Sequence, residues 1–206
     1  PSPELSKDYF EIKSQAQRRI IFDEFFWLEL YLAAKKSGFK KEKGPEIIGD
    51  GRIAEKIIQS LPFQMTQAQK RVFEDVKKDF SSKSCMHRLV QGDVGSGKTL
   101  VAFLAAATAA ESGYQSCLMA PTEILAEQHH LNAKRSLSGA GLHIAMLTGK
   151  TKTAERREIL AELAAGKIDL LIGTHALIED EVQFHKLGLV MVDEQHRFGV
   201  EQRGVL

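Results

Sequence analysis

Residues 92–99 read Gly92-Asp93-Val94-Gly95-Ser96-Gly97-Lys98-Thr99 and meet every fixed position of the pattern G-x-x-x-x-G-K-T. Glycines at this spacing let backbone N–H groups turn inward around a phosphate, where a side chain would collide. A helix starting at the end of the run adds the partial positive charge of its N-terminus. Lys98 is then placed to reach the β- and γ-phosphates of a nucleoside triphosphate, and the Thr99 hydroxyl to ligate Mg²⁺. A β-like run, Leu89-Val90-Gln91, precedes the loop and an alanine-rich stretch follows it. That strand-to-helix context separates a nucleotide site from an ordinary glycine turn.

A second constellation stands about 95 residues downstream, where Val190-Met191-Val192-Asp193-Glu194-Gln195-His196 puts two carboxylates at the end of an apolar run. In open parallel sheets, ligands sit at the C-terminal edge of the strands. Asp193 there can hold Mg²⁺, directly or through a water, opposite Thr99. Glu194 can orient and deprotonate an attacking water. A metal-holding Asp alone suits a switch or a kinase, whereas the added Glu is what a hydrolase needs.

These groups need elements to position them. Strand-like runs are expected at 88–91, 116–120, 143–147, 169–173 and 187–192, with helices at about 98–112, 122–138 and 153–165. Gly113 and Gly166 fall where a helix end favours a left-handed residue. Alternating strands and helices with crossovers of this length predict a parallel sheet covered on both faces. Ahead of it, an amphipathic helix over 67–80 carries Ala68, Val72, Val76 and Phe80 at intervals of four, and a short helix spans about 53–60. Residues 37–52 are rich in glycine and lysine and read as a loop. Residues 14–36 form one helix apolar nearly all round, with Ile21, Phe25, Leu28 and Leu32 on one stripe and Phe22, Phe26, Leu30 and Ala33 on another. Two greasy faces call for two partners, or for burial in one core.

Lys plus Arg total 28 against 27 for Asp plus Glu. A balance so close to zero means that any nucleic-acid contact must come from local placement of groups. Cys85 and Cys117 lie far apart with no Cys or His at zinc-ligand spacing, the usage of free thiols in a reducing cytoplasm. His129 and His130 are adjacent, hence about 100° apart on a helix and poorly placed to share a metal. No apolar run reaches the ~20 residues of a membrane helix. The first residues, Pro1-Ser2-Pro3, and the last, Gly204-Val205-Leu206, lead us to expect a piece of a longer protein.

The box Asp193-Glu194-Gln195-His196 resembles the D-E-x-H box of the superfamily 2 helicases. Ala120-Pro121-Thr122-Glu123-Ile124-Leu125-Ala126-Glu127-Gln128-His129 is similar to their motif Ia, and Leu147-Thr148-Gly149 to the motif after it. Ile172-Gly173-Thr174-His175-Ala176-Leu177-Ile178 is similar to the following loop, and Leu61-Pro62-Phe63-Gln64-Met65-Thr66-Gln67-Ala68-Gln69 to the adenine-reading segment ahead of the phosphate loop. With the tail Arg197-Phe198-Gly199-Val200, the set looks most like the members that act on branched DNA. The transcription-repair coupling factor, the nearest competitor, usually has D-E-E-H.

The resemblance implies a RecA-like ATP-binding domain over residues 46–206, using ATP and Mg²⁺, with residues 1–45 as a helical linker to an N-terminal wedge domain outside this chain. It implies that Phe63 stacks on adenine and Gln69 reads it, although Thr66-x-x-Gln69 is equally the pattern of a capping box. Gln195 and His196 would couple the nucleotide state to strand binding. Pro121, Thr122, Thr148, Gly149, Thr174 and His175 would contact a sugar-phosphate backbone without reading bases; for Thr122, an N-cap role stands beside strand contact. A second RecA-like domain would supply arginine fingers. The whole would be a cytoplasmic, monomeric DNA motor; a nucleotide-gated binding module that never turns over is the rival from another class.

Overall fold

The structure, a computed structural model, describes residues 14–39, 43–93, 95–137 and 139–194. Val94, Gln195 and His196 of the sequence-derived site, and the Arg197–Val200 tail, lie outside the described residues. The chain divides into two compact units, residues 1–43 and 44–206.

In the first unit, helix α1 spans Gln15–Phe39. Ser14 starts it with a capping box: its Oγ accepts from Gln17 N at 3.3 Å, and Gln17 Oε1 accepts from Ser14 N at 3.4 Å. Both apolar stripes expected from the sequence are exposed, Phe22, Phe25 and Trp27 each by more than half, and the Phe22 and Phe26 rings stack at 5.8 Å.

The second unit begins with α2 (Arg52–Ser60) and α3 (Gln67–Phe80). There follow α4 (Lys98–Glu111), β1 (Gln115–Met119), α5 (Glu123–Ser136), β2 (Ile144–Leu147), α6 (Thr153–Ala164), β3 (Leu170–Gly173), a 3₁₀ turn (His175–Ile178) and β4 (Leu187–Val192). The strands form one parallel sheet in the order β2-β3-β1-β4. This is the expected parallel α/β architecture, consistent with a RecA-like domain.

Alternation along the strands divides the core in two. Leu118, Leu170 and Ile172 face α4, while Cys117, Met119, Leu147 and Leu171 face Ile159 and Leu163 of α6. Apolar residues on both faces are what a sheet covered on both sides requires. In α4, Leu100, Val101 and Phe103 to Ala109 are buried, and the run of alanines lets its backbone lie close against its neighbours. Gly113 and Gly166 adopt φ of 75° and 72°, the left-handed conformation expected after α4 and α6. The start of α2 is held from a distance, since Glu111 at the end of α4 accepts from Gly51 N at 2.8 Å and Arg52 N at 3.0 Å. That carboxylate satisfies N–H groups that Gly51 has no side chain to cap.

Two expectations fail locally. Residues 88–91 form no strand, and Leu89 is 73% exposed. Arg88 Nε donates to Asp79 Oδ2 at 2.7 Å and ties the segment to the last turn of α3. The phosphate loop is thus entered from an irregular segment, not from a strand. In α3 the inward face is Phe73, Val76 and Phe80, and Ala68 of the expected stripe is exposed. The bulkier Phe73 displaces the small alanine from the core because it removes far more apolar surface from water.

Candidate active site

The phosphate loop turns on its glycines. Gly95 and Gly97 have φ of 83° and 81°, and a Cβ on Gly92 would sit 2.6 Å from Ser96 Oγ. No other residue type takes these positions without strain or collision. Ser96 N donates to Asp93 O at 3.1 Å, closing the turn. Lys98 folds back into it, its Nζ donating to Gly92 O at 2.6 Å and Asp93 O at 2.9 Å. Thr99 follows in the first turn of α4, whose N-cap is Gly97.

The acidic pair lies at the C-terminal end of β4, as expected. Asp193 N donates to Met119 O at 2.9 Å, which fixes its backbone against the end of β1. Its Oδ2 lies 2.7 Å from His129 Nε2 on α5. This hydrogen bond, first of all, holds the Asp193 carboxyl below the usual carboxylate range. Burial pulls the other way, while the charge of His129, the Glu194 N–H and the Lys98 ammonium add to the lowering. Lys98 opens α4, which packs against β1 and β4, and Asp193 follows the end of β4. Glu194 has φ of 48° and is the one non-glycine among the described residues with a positive φ. Such strain at a charged residue beside a ligand site is a feature of functional turns.

His129 is the residue that sequence reasoning missed. In the sequence it stands at the end of the motif Ia-like run and beside His130, with no sign of a carboxylate partner, and among the described residues no cluster of three or more His, Cys, Asp or Glu could hold a metal. Its partner is 64 positions away, beyond the reach of any local pattern.

Gln69 settles into the capping alternative. Its Oε1 accepts from Thr66 N at 2.9 Å, and its backbone N donates to Thr66 Oγ1 at 3.2 Å. The other end of the amide, Nε2, donates to Ser96 O at 2.8 Å and buttresses the phosphate loop. Phe63 is 55% exposed on the rim of a cavity of about 330 Å³ that Ile58, Leu61, Met65 and Lys70 also line. The exposed ring is free to stack, but Gln69 does not line that cavity.

The backbone-contact candidates cluster after β1, β2 and β3. Thr122 is the N-cap of α5, its Oγ1 accepting from Leu125 N at 3.3 Å, and Pro121 precedes it. Thr148 is buried and wraps its own turn, accepting from Lys150 N at 3.3 Å and donating its N–H to Thr151 Oγ1 at 3.0 Å. Gly149 and His175 are exposed, whereas Thr174 is buried with its hydroxyl lacking a hydrogen-bond partner among the described residues. Lys150 and Glu123 form an ion pair at 2.5 Å between the loops after β1 and β2.

The described donors fit a Mg²⁺–triphosphate. A hydroxyl and a carboxylate are hard oxygen ligands, and Mg²⁺ is usually held by one or two such groups together with substrate phosphates. The glycine turn leaves the phosphates a cradle that a Cβ would fill. Elsewhere, Cys85 and Cys117 are both free thiols, and burial pushes Cys117 up to about 12. No described helix is long and apolar enough to cross a membrane.

Comparison with known proteins agrees with this geometry. Residues 66–206 match the DEAD/DEAH box helicase family. The chain is 50% identical over 194 residues to the ATP-dependent DNA helicase RecG of Synechocystis sp., covering 94% of this chain and 23% of that protein. It is 44% identical over 207 residues to RecG of Haemophilus influenzae, covering all of this chain and 30% of that one. A solved structure of RecG bound to a three-way DNA junction superposes with a TM-score of 0.81 at 44% identity, over 88% of this chain and 25% of that one. The chain thus spans about a quarter of the length of the relatives it matches.

Proposed function

The chain belongs to the DEAD/DEAH box helicase family, and from that premise we propose that it is the ATP-binding half of a RecG-type DNA motor. In the protein at its relatives' full length, ATP hydrolysis drives movement on branched DNA such as stalled forks and Holliday junctions. The work is branch migration and fork reversal in recombination and repair. The observation that carries this reading is the phosphate loop itself, its glycines at left-handed φ and Lys98 opening α4, with α4 packed against β4, the strand that ends at the Asp193–Glu194 turn. A loop built for phosphates and a carboxylate built for a cation share one sheet edge. The likeness to a helicase solved on a DNA junction supports branched DNA as substrate.

The roles divide as follows. Backbone N–H groups of 92–97 and the start of α4 cradle the phosphates. Lys98 exchanges the carbonyls of Gly92 and Asp93 for β- and γ-phosphate oxygens. Thr99 and Asp193 would hold Mg²⁺, which when bound neutralises charge developing on the phosphates. Glu194 aligns the attacking water and takes its proton. Phe63 offers its exposed face to the base; for Gln69 to read adenine, its amide must leave Thr66 N and Ser96 O. Gln195 and His196 relay the nucleotide state. Pro121, Thr122, Thr148, Gly149, Thr174 and His175 form the rim facing a sugar-phosphate strand, where neutral donors suit a motor indifferent to sequence.

Residues 1–45 serve as a helical linker to a wedge domain, and 46–206 as the first RecA-like domain. A second such domain completes the site with arginine fingers, whose removal typically costs ~10³–10⁵ in rate. The isolated 206-residue chain is therefore expected to bind ATP weakly and to turn it over very slowly. The test is ATPase of the full-length protein with and without forked DNA. Strong stimulation by the fork supports the reading, and equal, negligible rates contradict it.

A further inference from the structure

We propose that His129 is a positioning residue that ties the Asp193 carboxylate to the strand-facing end of α5, so that DNA engaged at that end sets how well Asp193 holds Mg²⁺. The inference rests on the function proposed above and deepens it by naming a route between the two sites.

Asp193 has two anchors on different elements. Its backbone N–H is bonded to Met119 O at the end of β1. Its side chain is bonded through Oδ2 to His129 Nε2 on α5, at 2.7 Å. An ionised carboxylate only accepts, so Nε2 is the donor. The backbone follows the sheet while the carboxylate follows the helix, and any shift of α5 against β1 turns the carboxylate. Oδ1 is not engaged by His129, and an outer partner that holds one oxygen of a carboxylate orients the other.

The other end of α5 is wired to the rim. Thr122 caps its first turn, and Glu123 in that turn pairs with Lys150, two residues past Thr148. His129 lies seven residues beyond the cap, about 10 Å along a helix. A backbone phosphate arriving at Thr122, Gly149 or Lys150 competes for the Glu123–Lys150 pair and pulls on the same rigid rod that carries His129. The ring itself is held by few polar contacts. It is 8% exposed, and its Nδ1 is buried with no hydrogen-bond partner among the described residues. Among the described residues its polar bond is the one to Asp193. A buried histidine that merely filled space would not need that partner.

The experiment uses the full-length protein with His129→Ala, His129→Asn and His129→Gln. Glutamine carries its amide nitrogen near the reach of Nε2, whereas asparagine stops short and should behave as alanine does. Two quantities are read, each with and without forked DNA. One is the ATP turnover rate. The other, free of turnover, is the apparent Mn²⁺ affinity by EPR with a non-hydrolysable ATP analogue. Wild type is expected to gain both turnover and Mn²⁺ affinity on adding DNA. The alanine and asparagine variants should lose the DNA-dependent gain, with stimulated turnover down ~10–100-fold, the usual effect of removing an outer-shell partner. Their affinity for the fork should be unchanged, and the glutamine variant should regain much of the gain. The inference is overturned if wild type responds to DNA and the alanine or asparagine variant responds equally. A wild type with no response to DNA fails the function reading itself and is a different result. Should the alanine protein not fold, the asparagine and glutamine pair decides the matter alone.

Discussion

The phosphate loop and the acidic turn meet at one edge of the sheet but are held there by different means. The loop is built from neighbours in sequence: three glycines, the Ser96–Asp93 bond, and Lys98 folded onto Gly92 and Asp93. Among the described residues, Gln69 reaches in from another element. Asp193, by contrast, is held by β1 through its backbone and by α5 through His129. A locally built site keeps its shape when the rest of the domain shifts. A site assembled from three elements changes when any of them moves. The difference suits a motor, in which nucleotide capture should be constant and the competence to hydrolyse should answer to the track.

The largest effect expected is that of Glu194→Gln in the full-length protein, which should lower the turnover rate ~10²–10⁴-fold, the range of a lost general base. ATP affinity measured with a fluorescent analogue should persist, since the loop does not depend on that carboxylate. Loss of both together would break the distinction between capture and hydrolysis. Lys98→Ala should cost ~10²–10³ in rate, as for one transition-state donor, and should weaken nucleotide binding as well. Phosphate release and nucleotide titration on the same sample check it.

Gly97→Ala tests how far the loop depends on its own backbone. At φ 81°, and with the Gln69 amide against the new Cβ, the variant should lose ~1–3 kcal/mol of stability in a denaturant melt. Gln69→Ala should cost about 1 kcal/mol through the capping box. If the variant also loses its preference for ATP over GTP, the amide reads the base in addition to capping α3; unchanged preference leaves it a purely structural group.

The smallest effect is a pH dependence. Asp193 is held below its ordinary value of 3.8, so its ionised form is favoured by folding. Its contribution is fully present above that ordinary value and drains away as pH falls through the lowered one. Asp193→Asn should flatten this part of the acid limb in melts between neutral pH and about pH 2, while leaving the loop's response unchanged.

Much of this could be read from residue order, and the part that could not has a common cause. The α4, α5 and α6 helices and four of the five strands follow from periodicity and from the glycines that end α4 and α6, because each is decided within a dozen residues. The failed strand at 88–91 has two apolar residues, Leu89 and Val90, and nothing in it reveals that Arg88 would pair with Asp79. The two roles of the Gln69 amide were visible as alternatives because Thr66 stands three residues away; its bond to Ser96, 27 positions off, was not. His129 is the extreme case. Nothing in Gln128-His129-His130 points to a carboxylate 64 residues downstream, which only the crossing of α5 over the sheet brings near.

A crystal structure of the full-length protein with a non-hydrolysable ATP analogue and Mn²⁺, located by its anomalous signal, would test the central claim most directly. The account predicts one ion beside the β- and γ-phosphates, touched by Thr99 Oγ1 and reached by Asp193 directly or through one water, with Lys98 turned from Gly92 and Asp93 onto the phosphates. An ion or triphosphate that engages the loop while Asp193 and Glu194 stand too far away to share it would contradict the account.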